Sequence, residues 1–154
     1  MNAWGHVVDL LRSQVADNGL LVWAPHLAYG YFNDYYPGDA DEDWIGTGTI
    51  KYGTVAPWSQ WWSFDEIFAR YYEELASYKK PILIAEFGTL AVGGDRSEWY
   101  SKALEGFSSH FPQVKALVFF HNNNDATTTY QTLNWYFIND KEILDELKGQ
   151  LETW

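Results

Sequence analysis

Residues 81–88, "PILIAEFG", run from apolar residues straight into one carboxylate, Glu86. A short apolar run bounded by Pro and Gly fits a strand buried on both faces. Such strands are typical of parallel sheets covered by helices. Strict alternation puts Ile82, Ile84 and Glu86 on one face. Glu86 then stands at the carboxyl end of the strand, where the active sites of α/β folds gather. The same position also suits a Glu that pairs with a nearby Lys or Arg, or that simply reaches water. The rest of the chain has to decide between these.

The chain has 154 residues, 47% of them hydrophobic, enough for one domain with a real core. A formal net charge of −11 argues against binding a nucleic-acid backbone and suits a neutral ligand. With no cysteine there is no disulfide and no thiolate chemistry. No run is long and apolar enough to span a membrane, and residues 1–6 do not read as a signal peptide. Aromatic residues make up 19%, with nine Trp, more than a core of this size usually needs.

The elements that must position Glu86 follow from periodicity and caps. Residues 3–17 read as a helix, with Trp4, Val7, Val8, Leu11 and Val15 at helical spacing, stopped by Asn18-Gly19. Residues 20–23 read as a short strand, 28–42 as an irregular loop and 43–49 as a second strand. Ser63 to Glu66 form a capping box, with Trp62 placed to staple onto Ile67. The helix that follows has Phe64, Ile67, Phe68, Tyr71, Tyr72 and Leu75 as its apolar stripe. Asp95 to Glu98 resemble another capped start, with Trp99, Ala103, Leu104 and Phe107 facing inward. Residues 114–120 form a fourth strand. Asn139 to Glu142 open the last helix, with Ile143, Leu144, Leu147 and Leu151 on one side. Alternation of this kind points to βα units around a parallel sheet. Residues 39–43 carry four carboxylates and read as a solvated turn, shaped by Pro37-Gly38.

Four segments stand out together: "HVVDLLRSQVADNGLLVWAPH" (6–26), "YYPGDADEDWIG" (35–46), "KKPILIAEFGT" (79–89) and "FPQVKALVFFH" (111–121). In that order they resemble glycoside hydrolase family 26, the β-mannanase-like family of (β/α)₈ barrels. In the family's order these correspond to strands five to eight. The resemblance implies an α/β fold that is the C-terminal half of a TIM barrel, with residues 1–154 a partial catalytic domain. It implies an O-glycosyl hydrolase of the endo-β-mannanase type, acting on β-1,4-linked polysaccharide (β-mannan or a related β-glucan). Glu86 would be the nucleophile of a retaining mechanism, with no cofactor and no metal. It also suggests an exported or extracellular protein.

In a retaining enzyme a second carboxyl protonates the leaving oxygen from about 5–5.5 Å away. In the family that acid is a Glu followed closely by Asn, after the fourth strand, and no such motif occurs in this chain. The expected partner is therefore a missing N-terminal half-barrel or a second copy of the chain. Asp39, Asp41, Glu42, Asp43 and Asp125 are the other carboxylates to test for the acid. A sugar ring buries its C–H face against aromatic rings. Trp23, Tyr36, Trp58, Trp61 and Phe120 are accordingly the expected substrate contacts, with His26 and His121 as hydrogen-bond donors. The family's Tyr near the nucleophile aligns with Ile50, and Tyr52 takes that place if the strand end is bulged. Two alternatives remain open: a non-catalytic carbohydrate-binding half-barrel, and a cellulase-like barrel glycosidase that shares "EFG".

Overall fold

The computed structural model describes residues 2–14, 18–28 and 30–152. Among these, parallel strands β1 (Val22–Trp23), β2 (Trp44–Lys51), β3 (Ile82–Thr89) and β4 (Val114–Phe119) form one sheet in that order. Helices α1 (Asn2–Ser13), α2 (Phe64–Ser77), α3 (Arg96–Ser109) and α4 (Lys141–Leu151) alternate with them. A single 3₁₀ turn, Phe32–Tyr35, interrupts the loop after β1.

The caps fall where the sequence places them. The Ser63 hydroxyl accepts the Glu66 N–H at 3.2 Å, and Glu66 accepts the Ser63 N–H at 2.7 Å. Asp95 accepts the Glu98 N–H at 3.0 Å, while Glu98 itself turns outward to Lys102. The last helix is capped by Asp140, one residue after Asn139.

The core lies between one face of the sheet and helices α2, α3 and α4. Ile45, Ile82, Ile84 and Phe87 meet Phe64, Phe68 and Leu75 of α2, then Trp99, Tyr100 and Phe107 of α3. Its rings pack edge to face, as with Phe64 and Phe107 at 4.9 Å. Each such pair adds roughly 0.5–1.5 kcal/mol beyond the area it buries.

Three expectations need correction. First, Glu86 does not share a face with Ile82 and Ile84. Thr47 pairs with Ile84, yet its successor Gly48 pairs with Glu86. On the other side Ile84 pairs with Leu117 and Phe87 with Phe119. β3 thus carries one extra residue near Ala85, a bulge that inverts the alternation beyond it. Ile82, Ile84 and Phe87 are all buried toward the helices, and Glu86 turns to the opposite, open face.

Second, the α1 stripe is not a buried face. Val8 is buried, but Val7, Leu10 and Leu11 are exposed, as is Leu20 just ahead of β1. Val15 and the rest of the expected helix end lie outside the described residues. Third, the acidic run is a clamp rather than a solvated turn. Glu42 is 3% exposed. It accepts the Tyr36 hydroxyl at 2.6 Å and faces Lys80 Nζ at 3.4 Å. Asp43 accepts the Leu21 N–H at 2.8 Å, and Asp41 pairs with Arg12 at 3.3 Å.

Glycines let the loops after β2 and β3 interlock. The Thr54 N–H bonds the Val92 carbonyl at 3.1 Å. Gly53 has φ +62°, and a Cβ there would stand 1.9 Å from the Val92 oxygen. Backbone cannot yield as a side-chain tip can. Gly53→Ala is expected to cost about 2–4 kcal/mol, read as a lower midpoint in urea unfolding. An unchanged midpoint would mean that these loops are not docked as described.

Candidate active site

Glu86 lines a cavity of about 660 Å³ at the carboxyl end of the sheet, within the usual range of roughly 300–1,000 Å³ for ligand sites. Residues 24–28 after β1 form one wall and Gly48, Thr49 and Ile50 of β2 another; Ile67, Arg70 and Tyr71 of α2 and Tyr52 complete the lining. Among the described residues Glu86 takes part in no ion pair. That disfavours the structural ion-pair reading of this carboxylate.

Gly48 makes room for it. A Cβ at Gly48 would lie 2.7 Å from Glu86 Oε2. Glycine inside a strand marks such close approaches. Gly48→Ala is expected to push the carboxylate aside; if Glu86 reacts with a substrate, turnover should fall about a hundredfold, as misplacement of a reacting group by about 1 Å does. Thermal unfolding run alongside should stay near wild type. Unchanged turnover would mean that the position of the Glu86 carboxylate is not decisive.

Of the residues expected to contact substrate, His26 shares this cavity with Glu86. His26 Nδ1 accepts the Ala28 N–H at 3.3 Å, so in the neutral ring the proton sits on Nε2. Trp58 does not line the cavity; it is exposed and stands edge-on to the lining residue Tyr52 at 5.2 Å. Tyr52 does reach the cavity, although the bulge is in β3 and not in its own strand. Its hydroxyl meets Thr128 at 3.1 Å. Burial raises its pKa, and the Asp125 and Glu86 carboxylates add to that.

The other expected contacts go elsewhere. Trp23 is buried in the core against Tyr36 and Tyr78. The Tyr36 hydroxyl is tied to Asp39 and Glu42, and burial together with those bonds raises its pKa. Phe120 packs on Trp135 in a small apolar cluster with Leu90 and Leu133. His121 stacks on Tyr136 at 4.2 Å, and its Nε2 accepts the Phe137 N–H.

Trp61 lies over Lys51, whose Nζ is 2.9 Å from the ring centroid, with Trp99 next at 5.2 Å. Lys51 is 1% exposed, and among the described residues its ammonium has no hydrogen-bond acceptor. Burial pushes its pKa down to about 7, opposed by the nearby Glu66 carboxylate.

No other carboxylate is found among the described residues lining the Glu86 cavity. Asp125 is buried and accepts from the Thr127 hydroxyl and N–H and from the Trp135 indole. These bonds hold its carboxyl below the usual range, the wrong direction for a proton donor. Residues 39–43 precede β2, and Gly48 opposite Glu86 is at least five residues further on. At about 3.3 Å per residue that is about 16 Å, too far for the separation of about 5–5.5 Å that a retaining pair needs.

Sequence reading missed Gly48, Arg70 and Tyr71 as lining of this cavity, and Lys51 beneath Trp61 apart from it. Gly48 left a signal, a glycine inside a strand pattern. Arg70 left none, since on α2 it reads as an ordinary solvated position.

The site is thus a parallel α/β sheet with one carboxylate at its carboxyl end, in an open cavity. No family model matches the chain. Over 129 residues it is 36% identical to a curated protein of Acetivibrio thermocellus, Endoglucanase H, covering 80% of this chain. The match spans 14% of that relative's length.

Proposed function

We propose that this chain is the nucleophile-bearing part of a retaining glycoside hydrolase that acts on β-1,4-linked polysaccharide, with Glu86 as the attacking carboxylate. The observation that carries the reading is Glu86 itself, which the β3 bulge turns onto the open face beside a glycine. Likeness to a protein named an endoglucanase supports it and favours a β-glucan over β-mannan. Residues 1–154 are read as the C-terminal half of a (β/α)₈ barrel, with the general acid supplied by further polypeptide or by a second copy. The exposed Val7, Leu10 and Leu11 on α1, Leu20 ahead of β1 and Val118 on β4 support a partner that covers them.

The test is reducing-end release from mixed-linkage β-glucan, glucomannan and β-mannan by the purified chain. Release from the glucan first is the expected order. One observation favours a second reading, a carbohydrate-binding half-barrel without catalysis: Glu86 has no carboxylate partner among the described cavity residues. Glucan binding without any release would fit that reading or place the general acid in further polypeptide, and release restored by an added acid-bearing half would separate the two.

A further inference from the structure

A second cavity, of about 460 Å³, adjoins the first; Ala24, Pro25 and His26 line both. Its buried lining is Trp23 and Phe32, and its rim is Tyr31 and Tyr35. The two tyrosines are 71% and 75% exposed, too open to be serving the core. Tyr31 is the N-cap of the 3₁₀ turn Phe32–Tyr35 and Tyr35 its last residue, and at a rise of about 2 Å per residue their backbones stand roughly 8 Å apart along it. The mount is firm. The Asp34 N–H bonds the Tyr31 carbonyl at 3.0 Å, and the Tyr36 N–H bonds that of Asn33 at 3.1 Å. The Asn33 side chain is bonded to Glu74 and to Tyr78. Tyrosine gives a large, rigid contact with a polar tip, suited to a ligand that is apolar on its faces and hydroxylated at its edges. No Lys or Arg is among the described lining residues, Asp34 sits between the tyrosines, and the chain carries −11 overall. An anionic ligand is disfavoured on that account.

We propose that the Tyr31–Tyr35 cavity is an accessory subsite for a neutral β-glycan, holding sugar units of the same chain beyond those at Glu86. This rests on the glycoside hydrolase reading above. His26 stands at the junction of the two cavities, where a chain would cross from one to the other.

The experiment titrates β-glucan oligosaccharides, from disaccharide to hexasaccharide, into the full chain carrying Glu86→Gln, so that nothing is cleaved, and follows affinity by calorimetry. Tyr31→Ala and Tyr35→Ala are added to this background; both residues are exposed, and circular dichroism checks the fold. Affinity should rise with chain length. Each tyrosine change should weaken hexasaccharide binding about three- to tenfold, the size of one aromatic contact, and leave the disaccharide unaffected. Length-dependent binding that ignores both tyrosines overturns the subsite and leaves the hydrolase reading standing. Equal weakening at every length overturns it as well, because the tyrosines would then belong to the primary site. If no glycan of any length binds, both readings fall.

Discussion

Exchanging Glu86 for Gln is expected to lower reducing-end release from β-glucan by at least about a thousandfold, as loss of an essential nucleophile does. The amide keeps the size of the carboxylate and removes the charge that attacks the anomeric carbon. Glu86 takes part in no ion pair among the described residues, so the change breaks none. Thermal stability and oligosaccharide affinity should both stay near wild type, which separates a chemical loss from a structural one. A second variant sharpens the test. Glu86→Ala opens a space beside Gly48, and a small anion such as azide can enter it. Azide would form its own bond to the anomeric carbon as the leaving oxygen departs with a proton from the general acid. Rescue with the opposite anomeric configuration would identify Glu86 as the attacking group and not a bystander. Release that survives Glu86→Gln unchanged would remove Glu86 from the reaction. A wild-type chain that binds glucan and releases nothing would place the second carboxylate in further polypeptide or leave the protein a binder.

The elements around Glu86 were legible because local chemistry marks them. Ser63 and Glu66 satisfy each other's backbone N–H groups wherever the chain is placed, and an apolar run between Pro81 and Gly88 has few alternatives to a buried strand. The face on which Glu86 lies was not legible. Period-two alternation assumes an unbroken ladder, and the extra residue near Ala85 exists only in relation to β2 and β4. The aromatic residues divide for a similar reason. Tyr36 and Trp58 both read as loop rings with polar neighbours. Tyr36 folds inward because Asp39 and Glu42 wait for its hydroxyl, while Trp58 stays exposed against the edge of Tyr52. Those partners come from pairings between loops, which no local window contains. α1 misled for the opposite cause: its spacing is amphipathic, but Val7 and Leu11 lie uncovered in this chain.

Lys51 leads to the other large expected effect. Its aliphatic neighbours in β2 gave no hint of burial; the residue that covers it, Trp61, arrives from the following loop. Two opposing contributions act on the ammonium. Contact with an aromatic face is worth about 2 kcal/mol or somewhat more when desolvated. Burying a cation without a hydrogen-bonding partner costs several kcal/mol, so the cost wins, as the lowered pKa also indicates. The sign of the pH dependence follows. Lys51 titrates at about 7 in the fold against a reference of 10.5. Between those values the unfolded chain binds more protons, so stability contributed at this site rises with pH from about 7 to about 10.5. Below about 7 the penalty is fully present. Lys51→Met, which keeps the stem and removes the charge, should therefore stabilise the protein by about 2–4 kcal/mol at mildly acidic pH, and the gain should shrink steadily as the pH is raised. Urea unfolding of both proteins across that range measures it. A Met variant less stable than wild type in acid would mean that the hold of Trp61 and Trp99 on the cation outweighs its desolvation. A gain that does not vary with pH would mean that Lys51 does not titrate within the fold, and that the stabilisation comes from packing alone.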